Sequence, residues 1–183
     1  MELAKPSNDF EHKLIANIEQ YGYQVNSVKA DKESLEPQFS YTIGFWASYG
    51  HPEILICGLH FDVAQDIFQN INKALSSGNK RFKAGDKNTE FIENYECVFL
   101  SVLPENYKDY VLSAKWLYSG ESFPVLQLVF QDENHDWPWQ DGASFMIKRN
   151  QPVLGEYEKF FNSENKRGMI DHIVSIFKMK FLR

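Results

Sequence analysis

His51 and Glu53, separated by Pro52, are the side chains of this sequence with the simplest route to proton transfer. An imidazole titrates near neutral pH, and a carboxylate beside it can orient the ring, which is the minimum that general acid–base chemistry requires. Pro52 biases His51 away from helical geometry, so both side chains leave an extended segment after the Tyr49-Gly50 turn and point the same way. Two outcomes stay open: His51 acts as acid or base with Glu53 orienting it, or His51 hydrogen-bonds a turn while Glu53 is solvated at a strand start. Just upstream, Tyr41 and Thr42 offer hydroxyls that can hold an oxyanion or phosphate, although both types also suit a pleated surface. Gln127 is the lone amide in an apolar run, and if buried it needs partners for up to four hydrogen bonds, from a neighbouring loop or from a ligand.

A second concentration of chemistry lies at residues 131–142, where Asp132, Glu133, Asp136 and Asp141 alternate with His135, Trp137 and Trp139. Carboxylates that steer and indoles that anchor are the composition of a surface facing a basic partner. The plain alternative is an acidic hairpin whose tryptophans fold back on the core. Cys57-x-x-His60, with Cys97, His51 or His135, supplies ligand types that zinc accepts, but no second pair at ligand spacing accompanies it, so no metal is expected. The sequence has no phosphate loop, dinucleotide fingerprint or Gly-x-Ser-x-Gly elbow, and no cofactor is expected.

The elements that must position these groups follow from periodicity. Apolar residues at helical spacing from Phe10 to Tyr21, after the capping candidates Ser7-Asn8-Asp9 and before Gly22, predict a first helix. A short strand at 23–28 and a charged loop at 29–36 come next. Residues 39–45 alternate in the period-two pattern of a half-buried strand, and residues 53–59 are apolar on both alternations, as in a strand inside a sheet. The short turn between these two strands makes antiparallel pairing the economical arrangement, with a helix capped by Asp62 and reaching Leu75 laid across the sheet. A polar, basic loop is expected at 79–88, strands at 95–102 and 125–130, a helix at 105–117, a short strand at 143–147 and a closing helix at 165–181. Strands and helices do not alternate regularly, so the expected class is α+β, one domain over residues 1–183 with a mainly antiparallel or mixed sheet and helices packed on it.

Composition narrows the functional classes. Of 183 residues, 43% are hydrophobic and 15% aromatic, enough for a sizeable single core. Lys+Arg 19 against Asp+Glu 25 gives a formal net charge of −6, which argues against a general nucleic-acid binder and accommodates a basic partner. No apolar run approaches the length of a membrane span and the first residues lack a secretory signal, so a cytoplasmic protein is expected. Cys57 and Cys97 each sit in an apolar strand-like segment, as buried free thiols do.

Tyr41-Thr42-Ile43-Gly44, His51-Pro52-Glu53 with Gly58-Leu59, Gln127-Leu128-Val129 with Asp132, Pro138-Trp139 and Gln151-Pro152-Val153-Leu154-Gly155 together resemble an uncharacterised bacterial domain family. Its members carry Tyr-Thr-x-Gly, His-Pro-Glu, Leu-Gln-Leu-Val and Pro-Trp motifs, and the resemblance spans about residues 37–155. Phe130-Gln131-Asp132 departs from the Trp-Pro-Asp more common in that family, which weakens inference about residues 133–137.

Two functions are expected from these features. The first is a cytosolic binding protein of immunity or antitoxin type that neutralises a basic protein, such as a secreted nucleic-acid-cleaving toxin, through Asp132, Glu133, Asp136, Trp137 and Asp141. The alternative is a small enzyme or ligand-binding domain whose pocket joins Tyr41, Thr42, His51, Glu53, Gln127 and Trp139, with His51 as acid or base. Neither direct nucleic-acid binding nor membrane contact is expected of it.

Overall fold

The protein was analysed as a computed structural model, which describes residues 3–30 and 36–161. The closing helix expected at 165–181 lies outside the described residues. α1 (Asp9–Tyr21) begins where the Asn8 side chain accepts the Glu11 amide at 3.0 Å, and it stops at Gly22, whose φ of +83° is accessible to glycine at little cost. β1 (Gln24–Val28), β2 (Phe39–Ile43), β3 (Glu53–Cys57), β4 (Lys87–Ile92), β5 (Tyr95–Ser101) and β6 (Val125–Phe130) form one sheet in the order β1-β2-β3-β6-β5-β4. β3 and β6 run parallel and the other neighbours antiparallel, so the sheet is mixed and the class is α+β.

β2 and β3 pair antiparallel in the register Phe39–Cys57, Ser40–Ile56 and Tyr41–Leu55, as the short connection predicts. All five residues of β2 are buried, so the strand is covered on both faces where alternation alone predicts one. Tyr41, Ile43, Leu55, Cys57 and Val125 share one face with α1, α4 (Tyr107–Tyr110) and α5 (Leu112–Leu117). Ile54, Ile56, Leu126 and Leu128 share the other with α3 (Phe61–Ser76), which buries Ala64, Ile67, Phe68, Ile71 and Leu75. A third cluster, Val98, Leu100, Val129 and Trp137, continues the first face toward β5.

The structure revises several local expectations. Phe45 leaves the strand because Gly44, at φ +116°, turns the chain into α2 (Phe45–Tyr49). His60, not Asp62, stands at the N-cap of α3. The helix expected at 105–117 breaks at Val111, whose φ of −131° and ψ of 41° separate α4 from α5. The loop expected at 79–88 already enters β4 at Lys87, an edge strand whose polar residues hide it from a hydrophobic pattern. Residues 143–147 do not form a strand: Ser144 accepts the Ile147 amide and caps α6 (Phe145–Asn150), with Lys148 and Arg149 favourably placed in its last turn.

Candidate functional site

Glu53 opens β3 and is 0 % exposed. Its carboxylate reaches across to α2, whose N-cap residue Gly44 has no side chain to cap with. Oε1 accepts the amides of Gly44 at 2.8 Å and Trp46 at 3.1 Å together with the Tyr118 hydroxyl, while Oε2 accepts the Phe45 amide at 3.2 Å and the Thr42 hydroxyl at 2.7 Å. Thr42 Oγ1 in turn accepts the Ile54 amide at 2.8 Å, so its own proton is directed at Glu53. A side chain on one strand thereby serves as the cap that the neighbouring helix lacks. Burial pushes the Glu53 carboxyl above its ordinary value, against the pull of Tyr118, Thr42 and the α2 amides, and it also raises the Tyr118 hydroxyl.

His51 does not join this carboxylate. Its Nδ1 donates to the Pro52 carbonyl at 2.7 Å and its Nε2 accepts the Phe82 amide at 3.0 Å, so both nitrogens are engaged in one tautomer. The ring meets Phe45 and Phe82 edge-on and is 1 % exposed. Gln127, on the face opposite α3, donates to the Pro152 carbonyl at 2.7 Å and accepts the Leu154 amide at 2.9 Å, which fastens residues 152–154 over the sheet. Gln151 does the same for Phe130, taking its amide at 3.1 Å and giving to its carbonyl at 3.0 Å beyond the last β3–β6 pair. The Tyr41 hydroxyl accepts from the Ser113 amide at 3.3 Å and the Asn26 side chain at 3.4 Å. Trp139 stacks between Trp137 and Tyr157.

Of the expected pocket residues, the structure joins Thr42 to Glu53 and leaves Tyr41, His51, Gln127 and Trp139 each in a separate setting. Tyr118 completes the Glu53 network and carries no local signal in the sequence, being 65 positions from Glu53. As for the metal ligand types, Cys57 is in the core with its thiol pushed up to about 12 by burial, whereas His60 is exposed at the start of α3. Among the described residues no three His, Cys, Asp or Glu side chains gather as a metal would require.

Because burial is the largest cause and Arg81 lies nearby, the His51 ring is held below its ordinary pKa. The unfolded chain therefore binds a proton that the folded chain refuses, and stability present above about pH 6.5 is lost as pH falls through the folded value. Wild-type stability should fall by up to about 1.4 kcal/mol per pH unit from this one group. His51→Gln, whose side-chain oxygen can still accept from Phe82, should flatten that slope. Urea midpoints measured between about pH 5 and pH 7.5 and subtracted, variant from wild type, cancel the opposite trend from Glu53. Parallel curves would show that His51 does not titrate on unfolding.

The acidic loop divides. Asp132 is only 6 % exposed, and its carboxylate accepts the amides of Asn134 at 2.9 Å, Asp136 at 3.0 Å and Ser144 at 2.9 Å. The Ser144 amide foremost holds this carboxyl below its ordinary value. Trp137 is 5 % exposed and packs on Val98, Leu100 and Val129. Asp136 is half-buried, whereas Glu133 and Asp141 reach solvent. Beside Glu133 opens a groove of about 530 Å³ whose apolar lining includes Leu59, Ile92, Tyr95, Phe130, Met146 and Ile147. Among the described residues Asp132 and Glu133 are its only charged lining residues, and Met146, which lines it, is 58 % exposed, while Phe145, before it in the chain, is 75 % exposed. Nothing in the hydrophobic pattern singled out Phe145 and Met146, because a short strand would have buried one of them.

No helix among the described residues is long and apolar enough to cross a membrane. The model of a family described as Domain of unknown function (DUF4262) matches residues 17–144. No curated protein and no solved structure matches the chain.

Proposed function

The chain belongs to the DUF4262 family, a domain of unknown function, and from that premise we propose that it is a protein-binding module of immunity type. It captures a basic protein, such as a nucleic-acid-cleaving toxin, in the groove beside Glu133. The observation that carries this reading is the contrast between the two kinds of polar residue. Thr42, Glu53 and Gln127 are 0 % exposed and spend their hydrogen bonds inside the fold, so they act as fasteners without access to a substrate. The groove, by contrast, combines an open apolar floor, the exposed side chain of Met146 and the carboxylate of Glu133. An aliphatic or aromatic anchor entering the groove, flanked by lysine or arginine that meets Glu133, fits both features. Lys148 and Arg149 on α6 are not among the groove's lining residues.

The test is affinity purification from the native cell with two baits, wild type and Met146→Asp, a change at an exposed position that leaves the fold intact. A stoichiometric basic protein should be retained by the wild type and lost by the variant, its affinity falling at least about tenfold. Equal retention by both baits, or a co-purifying small molecule in place of a protein, would overturn the reading.

A further inference from the structure

The two edges of the sheet are built differently. β4, at one edge, carries Lys87 and Glu90, and its register with β5 shifts between Asn88 and Ile92 where Asn88 Oδ1 takes the amides of Glu90 and Phe91. Charge and irregularity are the usual defences of an exposed edge. β1, at the other edge, reads Gln-Val-Asn-Ser-Val, with no charge and no proline, and it pairs with β2 without interruption over five residues. Among the described residues no strand pairs with its outer side, which leaves that edge open to pairing with another strand.

A cleft of about 420 Å³ lies against it. Its walls are Asn17 and Tyr21 of α1 and Gln65, Gln69 and Asn72 of α3, with Gln24 and Val25 of β1 between them. Since α1 packs on one face of the sheet and α3 on the other, a cleft walled by both lies beyond the edge strand. Among the described residues none that line it is charged. Asn17 gives its amide to Gln24, which gives its own to Asn26, a chain that holds these side chains in place. Gln65 and Gln69, one turn apart on α3, make no side-chain hydrogen bond among the described residues. Tyr21, 56 % exposed, adds an aromatic surface to the opposite wall.

We propose that this cleft binds an extended, uncharged segment of a partner polypeptide, which adds to the sheet as a seventh strand beside β1. Main-chain groups of the segment take the outward amides and carbonyls of β1, and its side chains alternate between the α1 wall and the α3 wall. Carboxamides donate and accept, so Gln65, Gln69 and Asn17 match neutral polar side chains and the peptide backbone without selecting charge. A second copy of this chain fits poorly, because the α1 and α3 of each copy, projecting past β1 on both faces, oppose those of the other. This site is independent of the groove at Glu133, which involves β4, β5 and α6.

The probe is a random dodecapeptide library displayed on phage and selected on the full-length protein. Selected sequences should be poor in charge and rich in β-branched residues, and in amide NMR they should perturb residues 24–28. Two variants at α3 surface positions, Gln65→Lys and Gln69→Lys, combined in one protein, should weaken a selected peptide at least about tenfold, while Glu133→Lys should not. Methylating the peptide's own backbone nitrogens one at a time should weaken binding at alternate positions only, since alternate N–H groups face β1. Uniform sensitivity, perturbation confined to other residues, or failure to select any peptide would overturn the proposal. So would a concentration-dependent dimer in sedimentation that Gln69→Lys dissolves, which would identify the occupant as a second copy.

Discussion

Glu53→Ala should destabilise the fold by about 3–5 kcal/mol, a large share of what holds a domain of this size together. The substitution strands the backbone amides of Phe45 and Trp46 and the hydroxyl protons of Thr42 and Tyr118 in a volume that solvent does not reach, and it leaves the Gly44 amide only its 3.2 Å bond to the Tyr118 oxygen. Glu53→Gln should cost less, about 1–3 kcal/mol. Its oxygen can take the Gly44, Trp46 and Tyr118 donors, and its NH₂ can give to Thr42 Oγ1, so the Phe45 amide and the Thr42 hydroxyl proton are the two donors that lose their acceptor. Tyr118→Phe should cost about 1–3 kcal/mol, and in the double variant with Glu53→Gln the two losses should fail to add. Equilibrium urea unfolding of the wild type and the four variants measures all of this. A Glu53→Gln as stable as wild type would show that Glu53 is a neutral acid in the folded protein, and a stable Glu53→Ala would show that α2 does not depend on its cap.

The same network explains which parts of the structure were legible in the sequence. α1 announces itself through Asn8, a run of apolar residues at helical spacing and Gly22, all within the element. β3 does so through apolar residues on both alternations. α2 has no such internal signal, because five residues cannot nucleate a helix alone and its cap is supplied from β3. β4 hides because an edge strand tolerates polar residues, and Asn88 bends it away from regular alternation. The start of α6 reads as a strand because its few apolar residues fit either period, and only the Ser144 cap decides. The candidate site follows the same rule. Thr42, His51, Glu53 and Gln127 stand out in the sequence as polar residues in apolar or constrained settings and Asp132 as part of an acidic loop, and it is the structure that buries all five with their hydrogen bonds spent inside the fold. Their duties depend on partners distant in the chain: Phe82 for His51, Leu154 for Gln127 and Ser144 for Asp132. A local pattern cannot distinguish a fastener from a catalytic group when the deciding contact is chosen by tertiary packing.

The acidic loop should therefore split under mutation into two classes that its composition groups together. Trp137→Ala should cost about 3–5 kcal/mol of stability, because the ring is buried against Val98, Leu100 and Val129 and stacked on Trp139. As an interface anchor Trp137 would act on dissociation from a partner, but a ring 5 % exposed has its contacts inside the protein. Asp132→Ala belongs with it, since the three amides that Asp132 accepts hold residues 132–144 in shape. Glu133→Gln with Asp141→Asn should instead leave stability within about 0.5 kcal/mol, because both carboxylates reach solvent. Their effect should fall on the association rate of a basic partner, several-fold at low ionic strength and fading as salt screens the rim. Thermal unfolding separates the first class and stopped-flow association across a salt series separates the second. If Trp137→Ala kept full stability and changed only dissociation, the ring would be part of the binding surface and the groove beside Glu133 would lose its claim to be the anchor site.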